Sequence, residues 1–134
     1  MYQAMLVPPS GPLELVFVRD ISHKRELLDC RTFDCIAVRR IIDDGPVSFD
    51  VWVDDEFLIT NPRPVLNTRA SLIAGQQLFG NVMVTDGPDS QGNTRSITDT
   101  QIEFCRVVDG VVMTAQSPVV ESTMRVATPS QENS

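Results

Sequence analysis

Residues 35–42 and 47–53 are two runs rich in β-branched side chains, separated only by Asp43-Asp44-Gly45-Pro46. Aspartate, glycine and proline supply the backbone geometries that a tight reversal needs, so the pair reads as a β-hairpin. This hairpin commits the chain to an antiparallel sheet. In its second run Val47, Phe49, Val51 and Val53 share one face, and Ser48, Asp50 and Trp52 share the other. Trp52, the chain's one tryptophan, therefore sits on the more polar face. There it is either covered by a helix or available to a partner as a large aromatic anchor.

Other elements gather around the hairpin. Strands are expected at residues 3–7 and 13–18, divided by the breaker Pro8-Pro9-Ser10-Gly11-Pro12. Leu13, Leu15 and Phe17 recur at period two and share one face of the second strand. Ser22 is the expected N-cap of a helix over residues 22–33, with Leu27, Leu28 and Cys30 as its apolar stripe and His23 exposed in its first turn. Asn61-Pro62-Arg63-Pro64 must be extended or turning. A short helix over 68–73 is expected, capped by Asn67 and ended by Gly75. A strand follows at 81–85. Thr98 or Asp99 then opens a helix to about residue 108, with Gly110 placed to end it.

Runs of strands interrupted by helices, without strict alternation, predict an α+β fold: a mainly antiparallel sheet with two principal helices. Residues 1–110 form the expected domain and 111–134 a C-terminal extension. The extension carries the apolar pairs Val111-Val112 and Val119-Val120. Residues 111–126 are therefore expected to dock, either on their own domain or on a second copy to give a homodimer.

A chain of 134 residues can bury a core without a disulfide or metal staple. No run approaches the roughly 18 apolar residues of a membrane span, and the N-terminus lacks the pattern of a signal peptide. A cytoplasmic location is expected, with no membrane partner. Eighteen acids face eleven bases, ten of them arginine, for a net charge of −7. That balance opposes direct nucleic-acid binding, which needs a basic footprint.

Chemistry is sparse. Cys30, Cys35 and Cys105 are scattered, and His23 is the one histidine, a poor set for zinc. No glycine-rich phosphate loop occurs, so no cofactor is expected. Cys30 beside Arg31 is a weak match to the electropositive setting of a reactive thiolate. Arg39 and Arg40 are adjacent but diverge on a strand, giving no basic patch. Asp54-Asp55-Glu56 is the densest acidic cluster. Magnesium or calcium needs several convergent oxygens, whereas consecutive strand residues point to opposite faces. The cluster reads as a solvated turn. No catalytic, cofactor or metal residue is assigned, and Trp52, Asp54, Asp55 and Glu56 are the candidates for an interaction surface.

Four segments together resemble a known family. They are Val51-Trp52-Val53-Asp54-Asp55-Glu56, Asn67-Thr68-Arg69-Ala70, Leu78-Phe79-Gly80-Asn81-Val82-Met83-Val84, and Gly92 followed by Ser96-Ile97-Thr98-Asp99. Their succession, over residues 27–108, is similar to a family of small proteins from actinobacterial phages, plasmids and their hosts, known only as a domain of unknown function. The resemblance implies a context and no activity: a small accessory protein of a mobile element. The expected function is non-enzymatic, by binding a host or phage protein for host modulation or anti-defence. The alternatives are a small enzyme with an unrecognised site and an acidic nucleic-acid mimic. Acids that alternate with bases, where a mimic needs a phosphate-like row, weigh against the mimic.

Overall fold

A computed structural model describes residues 1–43, 45–56 and 64–115. The elements in chain order are β1 (Tyr2–Val7), β2 (Glu14–Val18), α1 (Ile21–Leu28), β3 (Phe33–Ile42), β4 (Gly45–Asp54), α2 (Thr68–Ala74), β5 (Val82–Thr85) and α3 (Asp99–Ala115). The five strands form one sheet in the order β2-β1-β5-β4-β3. Every neighbouring pair is antiparallel, as the α+β reading expected. The hairpin is β3–β4, with Ile42 opposite Gly45 at the tip and Phe33 opposite Asp54 at the far end. No helix among the described residues is long and apolar enough to cross a membrane.

The sheet has two unequal faces. Met5, Val7, Val47, Phe49, Val51, Val82 and Val84 project into the larger core with Ala70, Ile73, Phe104 and Cys105 of α2 and α3. Phe49 and Phe104 meet there with ring centroids 5.7 Å apart. Ala4, Val18 and Met83 project the other way, onto Leu28 of α1. The central strand β5 is buried along its whole length.

Several local readings change. The N-cap of α1 is Asp20 and not Ser22: an Asp20 carboxylate oxygen accepts the His23 N–H at 2.8 Å. The helix ends five residues earlier than residue 33, because Asp29 adopts a left-handed conformation (φ 52°). Aspartate tolerates that region better than most residues, and here it frees Phe33 to open β3. Along β2 the face that carries Leu15 and Phe17 is the open one: Val18 is buried and Val16 half-buried, whereas Leu15 is exposed and Phe17 is 60 % exposed. The cause is position, since β2 is an edge strand and α3 packs on β4 at the opposite side of the sheet. Gly110 does not end the last helix; α3 runs on through it to Ala115. The extension's first residues thus continue a domain helix, and 116–134 lie outside the described residues, as does the 61–63 part of the proline-rich stretch.

Buried polar side chains join the layers. Asn67 caps α2, accepting the Ala70 N–H at 3.0 Å, and its amide donates to the carbonyls of Val7 (2.7 Å) and Gly80 (2.8 Å). Thr98 and Gln101 form a reciprocal capping box at the start of α3. The Gln101 amide then reaches the Ser48 carbonyl and Asp86. Arg69 of α2 pairs with Asp109 of α3 at 3.0 Å and donates to the Pro8 carbonyl. Arg40 donates to the Leu72 and Ile73 carbonyls at the end of α2, which explains a basic residue on an otherwise apolar face.

Two substitutions test this account by thermal and denaturant unfolding. Asn67→Ala removes a cap and two buried donors together and lowers stability by about 2–4 kcal/mol. Asn67→Asp keeps a capping oxygen but turns a carboxylate toward two carbonyls, so it is at least as damaging; a near-neutral Asp variant would reduce Asn67 to a simple cap. Gly110→Ala stabilises by about 0.5–1 kcal/mol, because Gly110 is interior to a helix and a Cβ there would meet nothing within 4 Å.

Candidate functional site

The tip of the β3–β4 hairpin stops beside the first turns of α3. The capping box fixes where that helix begins, and so which side chains face the tip. Between them lies a cavity of about 690 Å³. Ile42, Pro46 and Val47 line it from the hairpin, and Phe104 and Val107 from α3. Its rim carries Asp43, Asp99 and Glu103, and no arginine or lysine lines it among the described residues. Val107 is 53 % exposed, and Val111, one turn further along the same helix face, is 58 % exposed. The result is an open groove with an apolar floor and an acidic edge. Sequence periodicity could find the valines but not the groove, which depends on how a hairpin tip and a distant helix meet.

The acidic cluster lies elsewhere, and its geometry departs from the expectation of diverging side chains. β4 ends at Asp54, so Asp55 and Glu56 belong to a turn, and oxygens of all three carboxylates lie within 4.8 Å of one another. Each has protein partners. Asp54 accepts the Glu56 N–H at 2.8 Å, Asp55 accepts the Thr32 hydroxyl, and Glu56 receives Arg31 Nε and Nη2 at 3.1 and 2.7 Å. The Arg31 guanidinium holds the Glu56 carboxyl below the usual range. Asp55 and Glu56 therefore fasten the end of β4 to the segment between α1 and β3, while Asp54 braces the turn that carries them.

Trp52 lies against α1 on the smaller face. Its indole N–H donates to the Thr85 hydroxyl at 2.9 Å, Phe33 meets it edge-on with centroids 5.7 Å apart, and Lys24 Nζ stands 3.0 Å from its ring centre. Of the candidate interaction residues it is half-buried, Asp54 is buried, Glu56 is intermediate, and only Asp55 is fully exposed. The structure thus brings Asp54, Asp55 and Glu56 together and leaves Trp52 in a separate aromatic cluster.

The thiols are held protonated. Burial pushes Cys30 up to about 11, with Asp54 and Asp55 adding to the effect, so its neighbour Arg31 does not make it a thiolate. Burial also pushes Cys105 up to about 12. Cys35 is pushed up to about 12 by burial and by Asp50, which lies diagonally across the hairpin from it, opposite Ala37. Its side chain is nevertheless partly open to solvent. Cys35 should therefore react slowly with iodoacetamide at pH 8 despite that exposure, because the thiolate is the attacking species. Asp50→Asn should speed its alkylation several-fold, as peptide mass mapping over time would read; equal rates would remove the carboxylate from the argument.

No curated protein and no solved structure matches the chain. Residues 1–110 do match a family, over a span that begins earlier than the 27–108 resemblance and takes in every strand of the sheet. That family is described as Domain of unknown function (DUF3846), and the chain belongs to it.

Proposed function

We propose that the protein is a non-enzymatic binding protein that receives an apolar, basic segment of another protein in the groove between the β3–β4 tip and α3. One observation carries the reading: an apolar floor bordered by Asp43, Asp99 and Glu103, with no basic residue among its described lining. Apolar area supplies affinity and the acidic rim selects the charge of what approaches. A second copy of this chain is a poor occupant. Self-pairing through the groove would set one acidic rim against another, on a chain already at −7. Thiols held protonated, and acids already bonded to Arg31 and Thr32, weigh against the small-enzyme alternative. The resemblance to proteins of phages and plasmids supports a role as an accessory protein of a mobile element, acting on a host or phage protein in the bacterial cytoplasm.

The test uses an amphipathic helical peptide of leucine and lysine, with a leucine–glutamate peptide as its charge-reversed control. The lysine peptide should bind saturably, with amide shifts concentrated at residues 42–47 and 99–111. Val107→Asp should weaken it at least tenfold, about 1.4 kcal/mol. Because Val107 is largely exposed, that variant should melt within a few degrees of the parent. Shifts spread evenly over the acidic surface, or unchanged affinity in Val107→Asp, would refute the groove as the binding site.

A further inference from the structure

Lys24 is the chain's only lysine; its other ten strong bases are arginine. It projects from α1 toward the sheet and is 5 % exposed. Its ammonium stands 3.0 Å from the Trp52 ring centre, 4.6 Å from Phe33 and 5.7 Å from Tyr2. No hydrogen-bond acceptor and no ion pair reaches Nζ among the described residues, so three N–H donors have only aromatic faces to meet. Ring quadrupoles offset part of the penalty for removing an ammonium from water, but they do not replace an oxygen acceptor.

Lys24 lines a second cavity, of about 630 Å³, on the face of the sheet opposite α2 and α3. Tyr2, Phe33 and Trp52 form its aromatic wall, Arg19 adds a second cation, and Asn93 and Thr94 close it from the loop after β5. The Asp20 carboxylate also borders it, but already accepts the His23 N–H. An acidic protein thus has one hollow where an unpartnered cation and flat apolar rings face the same space.

We propose that this cavity binds a small planar organic anion of the aromatic carboxylate class, its carboxylate on Lys24 Nζ and its ring against Tyr2, Phe33 and Trp52. The site is independent of the groove beside α3. Lysine suits it better than arginine because its charge is a compact point that fits among three rings. Burial lowers the Lys24 ammonium to about 8, with Cys35 and Asp50 opposing the fall. Desolvation is what depresses it, and a bound carboxylate would favour the charged form.

Benzoate is the probe, at fixed ionic strength, with emission of the sole tryptophan, Trp52, as readout. Saturable binding is expected, with neutral benzyl alcohol and inorganic phosphate each at least tenfold weaker. Affinity should fall at least tenfold from pH 7 to pH 9.5 as Lys24 deprotonates. The charged and titratable groups around Lys24 are the Met1 α-amino group, Tyr2, Arg19, Asp20, Cys35 and Asp50; Tyr2 and Cys35 are pushed up to about 12, above that window, and acetylating the α-amino group takes Met1 out of it. Lys24→Met should fold with an unchanged or raised melting temperature, since an apolar side chain replaces a lone buried charge, and should lose at least tenfold in benzoate affinity. Should that variant fail to fold, the pH series on protein acetylated at its α-amino group decides, since Lys24 is then the cavity's amine that loses its charge in that window. No saturation with benzoate, equal binding of benzyl alcohol, affinity flat with pH, or a folded Lys24→Met that binds as well would each overturn the proposal.

Discussion

The fold depends on the insertion of one strand. β1 with β2 and β4 with β3 are antiparallel hairpins, and neither buries enough surface to persist alone. β5 enters between them, pairing with β1 on one side and β4 on the other. Its residues have no exposed face: Val82 and Val84 enter the larger core, Met83 the smaller one, and the Thr85 hydroxyl bonds to Trp52 and Asp86. What aims it is Asn67, 0 % exposed, which bonds to the last carbonyl of β1 and to the Gly80 carbonyl just before β5. A single amide thus starts α2 and aligns the two ends that must meet.

Once β5 is in place, the sheet separates two unlike environments. On one side the layers are joined by apolar packing and a few directed polar groups, Gln101 and Arg69 among them, and the outer surface there ends in an acidic groove. On the other side a single short helix covers the sheet, and its one inward cation rests on aromatic rings. The chain's acidic character is therefore unevenly expressed: the net charge of −7 describes neither hollow.

Where local rules act alone, the sequence was legible. The hairpin, the alternation that put Trp52 opposite Val51, the Asn67 cap with its Gly75 stop, and the antiparallel class all follow from spacing and turn chemistry. Failures came where tertiary context outweighs local preference. Gly110 offers a helix stop, but α3 has packing partners in Val108 and Val112 and continues. Leu15 and Phe17 outrank Val16 and Val18 in apolar bulk, yet which face of an edge strand is covered depends on where helices from distant sequence come to lie. Asp20 and Ser22 are both competent caps, and a two-residue choice between them is not encoded in either side chain. Neither candidate site was legible. Lys24 had no motif, and its meaning arises only when Tyr2, Phe33 and Trp52 converge on it.

The order in which the strands are made differs from the order in which they pair. Val7 ends opposite Val82, 75 positions later in the chain. At roughly 5–20 residues per second, the ribosome needs about 4–15 s to make that interval. During it β1 has β2 on one edge and nothing on the other, while β3 and β4 are already complete as a pair. A nascent chain therefore carries two half-sheets with open inner edges, whose most available false partner is another nascent chain on the same message. The net charge of −7 on the chain is a counterweight, since like-charged chains approach one another slowly.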